Sequence, residues 1–160
     1  MKKYTVLLLA LIVVIFFTPA IFFNKRIFQY DMSLMLYPYL EFSGEMLNSG
    51  RLPGWNPYLF CGFPLLAANQ AGVFYPFYLF GHFIFQTFDL YTFTIIFHFF
   101  LNLSFTYLFL SVFELSRFAR IFGALAFAFG GFMTAHHSNI GIICARSWLP
   151  LILYLYFIFN

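Results

Sequence analysis

Residues 47–76 read LNSGRLPGWNPYLFCGFPLLAANQAGVFYP, a stretch crowded with Gly, Pro, Asn and Gln in a chain that is otherwise close to hydrocarbon. Backbone so rich in helix breakers does not cross a bilayer, because in lipid every backbone polar group needs a partner within the segment or its protein neighbours. The stretch therefore divides the chain. Apolar runs on either side are the candidates for spanning, and the stretch itself is where polar chemistry has room.

Composition sets the solvent for those flanking runs. Hydrophobic residues make up 63% of the 160 positions, charged residues 8%, and mean hydropathy is +0.88. Soluble domains carry about 25% charged residues, so this is the composition of an integral membrane protein. The formal net charge of +3 is then read by the position of each basic residue, and it makes no case for nucleic-acid binding. No CxxC, HExxH, P-loop or GxGxxG pattern occurs. Thiol redox catalysis, zinc hydrolysis and soluble nucleotide binding thus have no sequence support.

Upstream, Met1-Lys2-Lys3 precedes an apolar run over 4–23. Thr18-Pro19-Ala20 offers the small residues of a signal-peptide cleavage site. The run continues past it, however, and about 20 residues at about 1.5 Å each match the roughly 30 Å hydrocarbon core. An uncleaved anchor with a cytoplasmic N-terminus is the expectation. Downstream, 90–113 and 121–135 are the expected second and third transmembrane helices, and 148–160 starts a fourth that is cut short. The run 73–88 holds Pro76, Gly81 and His82 and is short for a span. Placing it in the interface, or as a re-entrant segment, puts Arg117 and Arg120 on the same cytoplasmic side as Lys2 and Lys3, as positive-inside placement requires.

The expected fold is an all-α integral membrane protein. It has about four transmembrane helices, a large first external loop over 24–89 with amphipathic or interfacial helices, and an external turn over 136–147. Within the loop, Glu41, Glu45 and Asn48 share one face of a helix over 39–48, opposite Leu40 and Leu47. Ser49-Gly50, with Pro53 beyond, supplies its stop signal.

Several polar residues stand out. Asp31 reads either as the N-cap of a helix beginning at Met32 or as a carboxylate at the membrane edge, tuned for general-base work or for holding a divalent ion. His136 and His137 are adjacent and point in different directions, which disfavours a metal site shared by the two. They mark a membrane exit or meet a phosphate or acidic headgroup. Arg146 clamps a phosphate through its planar fork or anchors at the interface beside Trp148. Trp55, Tyr58, Tyr75 and Tyr78 read as interfacial aromatics before they read as a sugar-stacking platform. Gly123, Gly130 and Gly131 suggest close helix packing. Cys61 and Cys144 both fall on the outer side in this topology, as a disulfide or as two small apolar fillers.

The ordered series Asp31-Met32, Tyr37-Pro38, Ser49-Gly50-Arg51-Leu52-Pro53, Trp55-Asn56-Pro57, Gly62-Phe63-Pro64, Asn69-Gln70 and Tyr75-Pro76 resembles the N-terminal portion of the YfhO-like bacterial membrane proteins. These belong to the GT-C glycosyltransferase superfamily. The resemblance continues through Ser116-Arg117, 127–132 and Trp148-Leu149-Pro150. It implies the incomplete, N-terminal part of a GT-C-like fold in the bacterial cytoplasmic membrane. The whole protein would move a sugar from a polyprenyl-phosphate donor to an envelope polymer or lipid on the outer face. Asp31 takes the position of the essential acid, with a divalent cation as an optional partner. Trp55, Asn56, Asn69, Gln70, His136, His137 and Arg146 are the substrate-binding candidates. Family members are several times longer, so the 160-residue chain alone is expected to be inactive. The alternative is a small non-catalytic membrane scaffold or assembly subunit. A transporter is disfavoured, because the spans show neither an internal repeat nor intramembrane ionisable pairs.

Overall fold

The computed structural model describes residues 3–23, 25, 27, 32–136 and 139–160. The chain divides into two compact units, Met1–Ile27 with Ile95–Asn160, and Phe28–Thr94. We call them the span unit and the loop unit. Among the described residues the regular structure is helical, and one isolated antiparallel bridge joins Asn56 to Phe63.

The span unit opens with α1, Lys3–Phe16, followed by the short α2, Thr18–Phe22. The continuous helix expected over 4–23 is thus two pieces. Pro19 has no N–H to give the carbonyl four residues back, and its ring crowds that turn. The Thr18 hydroxyl meanwhile bonds back to the Val14 carbonyl at 2.9 Å. At 14 residues α1 falls short of the length of a simple span.

Among the described residues, three other helices are long and apolar enough to cross a membrane. The first is α5, Thr87–Phe109, prolonged by a 3₁₀ turn to Phe113. Its N-terminal turns belong to the loop unit and the rest to the span unit. The second combines α6, Arg117–Ala128, with α7, Gly131–Ala135, and the third is α8, Ile140–Phe159. Glu114, in the left-handed region at φ 53°, makes the hinge after α5. Ser116 then caps α6 by accepting from the Ala119 N–H.

The expected external turn over 136–147 is mostly absent, since α8 begins at Ile140 rather than Trp148. Ile140, Ile143, Cys144 and Ser147 are all buried. Their spacing gives these residues a helical face to bury, and burial of that face favours helix over turn.

Aromatic packing dominates the span unit. Phe16, Phe17, Phe99 and Phe129 form one cluster, with centroid separations from 4.6 Å to 6.3 Å. Of the three glycines read as packing sites, only Gly123 faces another helix, where a Cβ would stand 2.7 Å from Leu110. A Cβ at Gly130 would strike the Ala126 carbonyl oxygen of its own turn, and Gly131 faces open space.

The loop unit is built around α3, Tyr37–Asn48, entered through a π-helical turn at Met32–Leu36. Tyr39, Leu40, Ser43 and Gly44 are its buried face, while Glu41 and Glu45 are exposed. It stops where the sequence indicates. Gly50 sits at φ 71°, its N–H bonds to the Leu47 carbonyl, and the Arg51 N–H reaches the Met46 carbonyl. This double bond pattern is a Schellman motif, which only a residue tolerant of positive φ closes cheaply. Tyr39, Leu65, Ala71 and Val73 form the core, with the Tyr39 and Phe63 rings stacked at 5.6 Å. Within the stretch 73–88 lies α4, Pro76–Gly81. Six residues rise about 9 Å, far less than a bilayer core.

Candidate functional site

In the span unit, Arg146 occupies the second turn of α8. Its guanidinium carbon lies 4.4 Å from the ring centroid of Phe127 and 4.4 Å from that of Phe132. Both distances are within cation–π range. The Nε is buried and makes no hydrogen bond to the described residues. Glu114, at the α5–α6 hinge, is the one acid in the sequence of this unit. Pro150, four residues on, cannot donate to the Arg146 carbonyl, which removes one backbone bond from the helix there.

His136 joins the same group. Its ring stacks on Phe132 at 4.3 Å with an interplanar angle of 24°, and its Nδ1 donates to the Phe132 carbonyl at 2.8 Å. Arg146 and His136 therefore meet the same aromatic ring. A guanidinium stacked on aromatic rings is held in place with its in-plane N–H groups at the edge, the geometry that takes a phosphate or carboxylate in a bidentate manner.

A second arrangement lies wholly within the loop unit, a cavity of about 290 Å³ on the exposed side of α3. Glu41 and Glu45, one helical turn apart, form one wall, and Asn56, Tyr58 and Phe42 form the others, with Pro38 and Leu59 completing the lining. Glu41 accepts a hydrogen bond from the Tyr37 hydroxyl at 2.9 Å. Phe42 and Tyr58 meet edge to face at 6.1 Å.

Asn56 is placed by its own loop. It exchanges both backbone hydrogen bonds with Phe63 at 2.8 Å, and its Oδ1 accepts from the Tyr58 N–H at 2.9 Å. Phe60, Cys61 and Gly62 all have positive φ in the connecting turn. A Cβ at Gly62 would lie 2.5 Å from the Trp55 ring, so the turn and the indole fit only because that position is glycine.

The sequence-derived candidates thus separate. His136 and Arg146 come together in the span unit, and Asn56 lines the loop-unit cavity. Trp55, Asn69 and Gln70 are exposed and outside that lining. Asp31 and His137 lie outside the described residues. Sequence reading missed Glu41, Glu45 and Tyr58 as cavity walls, because a carboxylate pair on a polar helix face reads as ordinary solvated surface. A usable signal was the absence of any Lys or Arg within four residues of either acid. Cys61, exposed, and Cys144, buried, are both free thiols.

Two further buried polar groups escaped sequence reading. His82 is 6% exposed and packs against Gly44 so closely that a Cβ there would lie 2.7 Å from its Nδ1. Its Nε2 has no partner among the described residues, and burial lowers its pKa below the usual histidine value. On α5, Thr94, His98, Asn102 and Thr106 recur every fourth residue, and all are buried. Thr94 and Thr106 bond back to the carbonyls four residues earlier at 2.7 Å. Both amide atoms of Asn102 are without a partner among the described residues.

Comparison with protein-family models, with curated proteins and with solved structures finds no match to this chain.

Proposed function

We propose that this chain is the N-terminal part of a glycosyltransferase-like membrane protein, and that Arg146 recognises the phosphate of a polyprenyl-phosphate sugar donor. The observation that carries the reading is the guanidinium held against Phe127 and Phe132, in a helix long and apolar enough to cross a membrane, in a unit whose sequence holds a single acid, Glu114. A cation kept in such surroundings without a protein counter-ion is suited to an anionic ligand, and an intramembrane ionisable residue is by default a functional one. In sugar transfer from a lipid phosphate, negative charge grows on the departing phosphate, and a positioned guanidinium stabilises it. The resemblance adds Asp31 as the base that deprotonates or orients the acceptor hydroxyl. On this reading the acceptor is an envelope polymer or lipid on the outer face of the bacterial cytoplasmic membrane, with the N-terminus cytoplasmic.

The test is donor binding in the full-length protein. Arg146→Gln is expected to weaken binding of the phosphate-linked donor by about tenfold or more, the scale of one lost charge-assisted contact. Arg146→Lys, which keeps the charge but loses the planar fork, should fall between. Binding of a phosphate-free polyprenol should not change. Donor binding that is insensitive to Arg146→Gln would sink the phosphate assignment.

A second reading, a non-catalytic scaffold subunit, draws support from the exposed aromatics of the loop unit, Trp55 at 59%, Phe60 at 70% and Tyr58 at 81%. Large exposed aromatics favour a docking surface. Co-purification with membrane partners, together with tolerance of Asp31→Asn in a surface-glycan assay, would favour it over the transferase.

A further inference from the structure

We propose that the hinge between α5 and α6 binds an anionic phospholipid, with its phosphate on Arg117 and Arg120 and its acyl chains along Phe118 and Phe122. The site lies wholly in the span unit and is independent of the phosphate reading of Arg146. Three observations carry it.

The first is the way Arg120 is held. Its guanidinium carbon lies 4.9 Å from the ring centroid of Tyr107 on α5, and that tyrosine is itself buried. The Nε is buried and has no partner among the described residues. The two Nη groups are neither buried without a partner nor hydrogen-bonded to the described residues, so the outer edge of the guanidinium is open. A guanidinium fixed on a ring with that edge free is the fork that takes a phosphate through two N–H groups. The second observation is uncompensated charge. Arg117, exposed, stands three residues before Arg120 on α6, and like charges at that spacing are neighbours that repel unless an anion lies between them. Glu114 precedes Arg117 by three residues, yet among the described residues no salt bridge joins it to either arginine. The third is location. The spans Thr87–Phe113 and Arg117–Ala135 are joined by residues 114–116 alone, so the arginines stand where the chain turns back at the membrane edge, the depth of lipid headgroups. Phe118 and Phe122, 85% and 75% exposed, lie one turn apart and present hydrocarbon surface that begins in the same turn as Arg117.

These demands fall on different parts of one molecule. Positive-inside placement asks only for a basic residue near the end of a span. Arg117 meets it, as would a lysine with its ammonium in water, and it does not call for a guanidinium stacked on a ring of the neighbouring helix. A soluble phosphate satisfies the two guanidinium groups but leaves Phe118 and Phe122 unused. A choline phospholipid covers the rings and offers a phosphate, but its ammonium brings a third cation to a place that already holds two. An anionic phospholipid meets the charge, the fork and the apolar surface together.

The test uses the full chain in detergent, stripped of lipid and titrated with phosphatidylglycerol or with phosphatidylcholine of the same acyl chains, the bound lipid being counted by native mass spectrometry. Phosphatidylglycerol should bind saturably and about tenfold or more tighter than phosphatidylcholine, the scale of one charge-assisted hydrogen bond. Arg120→Gln should abolish that preference, and Arg120→Lys, which keeps the charge without the planar fork, should retain only part of it. Arg117→Gln changes an exposed side chain and so tests the site without disturbing the packing of α6. It should weaken phosphatidylglycerol binding severalfold, whereas Arg51→Gln, the loss of the same charge from an exposed position in the loop unit, should not. Equal affinity for the two lipids, a preference that survives both Arg120→Gln and Arg117→Gln, or one lost equally in Arg51→Gln overturns the proposal. Displacement of phosphatidylglycerol by an equal concentration of inorganic phosphate would make the occupant a soluble anion and overturn the lipid assignment.

Discussion

Asn56 and Asn102 are buried to the same degree, at 1% and 0% exposure, and the molecule treats them in opposite ways. Asn56 sits in an irregular loop whose backbone has no helical ladder, so its side chain and main chain supply the missing bonds, to Tyr58 and to both backbone groups of Phe63. Asn102 sits inside α5, where the helix already satisfies the backbone, and both atoms of its amide are left without partners among the described residues. The Asn56 side chain is therefore architecture, while that of Asn102 is a surplus that stability does not require. Such a surplus, one turn from the fully buried His98, is of the kind retained for function in membrane helices.

The contrast can be broken most severely at Gly62. Its φ of 114° and the 2.5 Å approach of the Trp55 ring leave no place for a methyl group. Gly62→Ala is expected to cost about 3 kcal/mol, from backbone strain and overpacking together. Limited proteolysis should then cut the loop unit around the 56–63 turn while the span unit stays protected. An alanine variant as resistant as the parent would mean that the turn does not hold the loop unit together.

The two asparagines are the direct comparison, with effects of opposite sign. Asn56→Ala strands the Tyr58 N–H and should destabilise by about 2 kcal/mol, whereas Asn102→Leu removes two unsatisfied atoms and should stabilise by about as much. Thermal unfolding in detergent checks both. A loss of stability in Asn102→Leu would show that the amide is satisfied after all, by a buried water or a ligand.

The smallest effect concerns His82. Burial holds its folded-state pKa below the usual value, so below about pH 6.5 the unfolded chain takes up a proton that the folded chain refuses. Stability is complete above that pH and declines as the pH falls through the window down to the lowered folded-state pKa, by at most about 1.4 kcal/mol per pH unit. A melting series from pH 7.5 to pH 4.5 should show this slope in the parent and lose it in His82→Gln. A slope that persists in the variant would assign the proton uptake to other groups.

How much of this was legible beforehand follows the range of the interactions. The helix α3 and its stop at Ser49-Gly50 are written in neighbouring residues, as is the hinge capped by Ser116. The break in the first apolar run was also written there, in Pro19, but run length was given more weight than the missing N–H. The start of α8 at Ile140 was hidden. His136 to Ser147 looks polar when read linearly, and only the helical spacing of Ile140, Ile143, Cys144 and Ser147 shows a face to bury.

The sequence by itself determined that this chain belongs with lipid, because the hydrophobic content, the scarcity of charge and the length of three apolar runs are additive properties of the residues. It also marked the Gly- and Pro-rich stretch as something that does not cross. Only the tertiary structure decided that Arg146 and His136 share Phe132, and that Glu41, Glu45 and Asn56 enclose one cavity. Those relations depend on the packing of one helix on the next and on a turn closed by three successive positive-φ residues, and no local run of sequence carries that information.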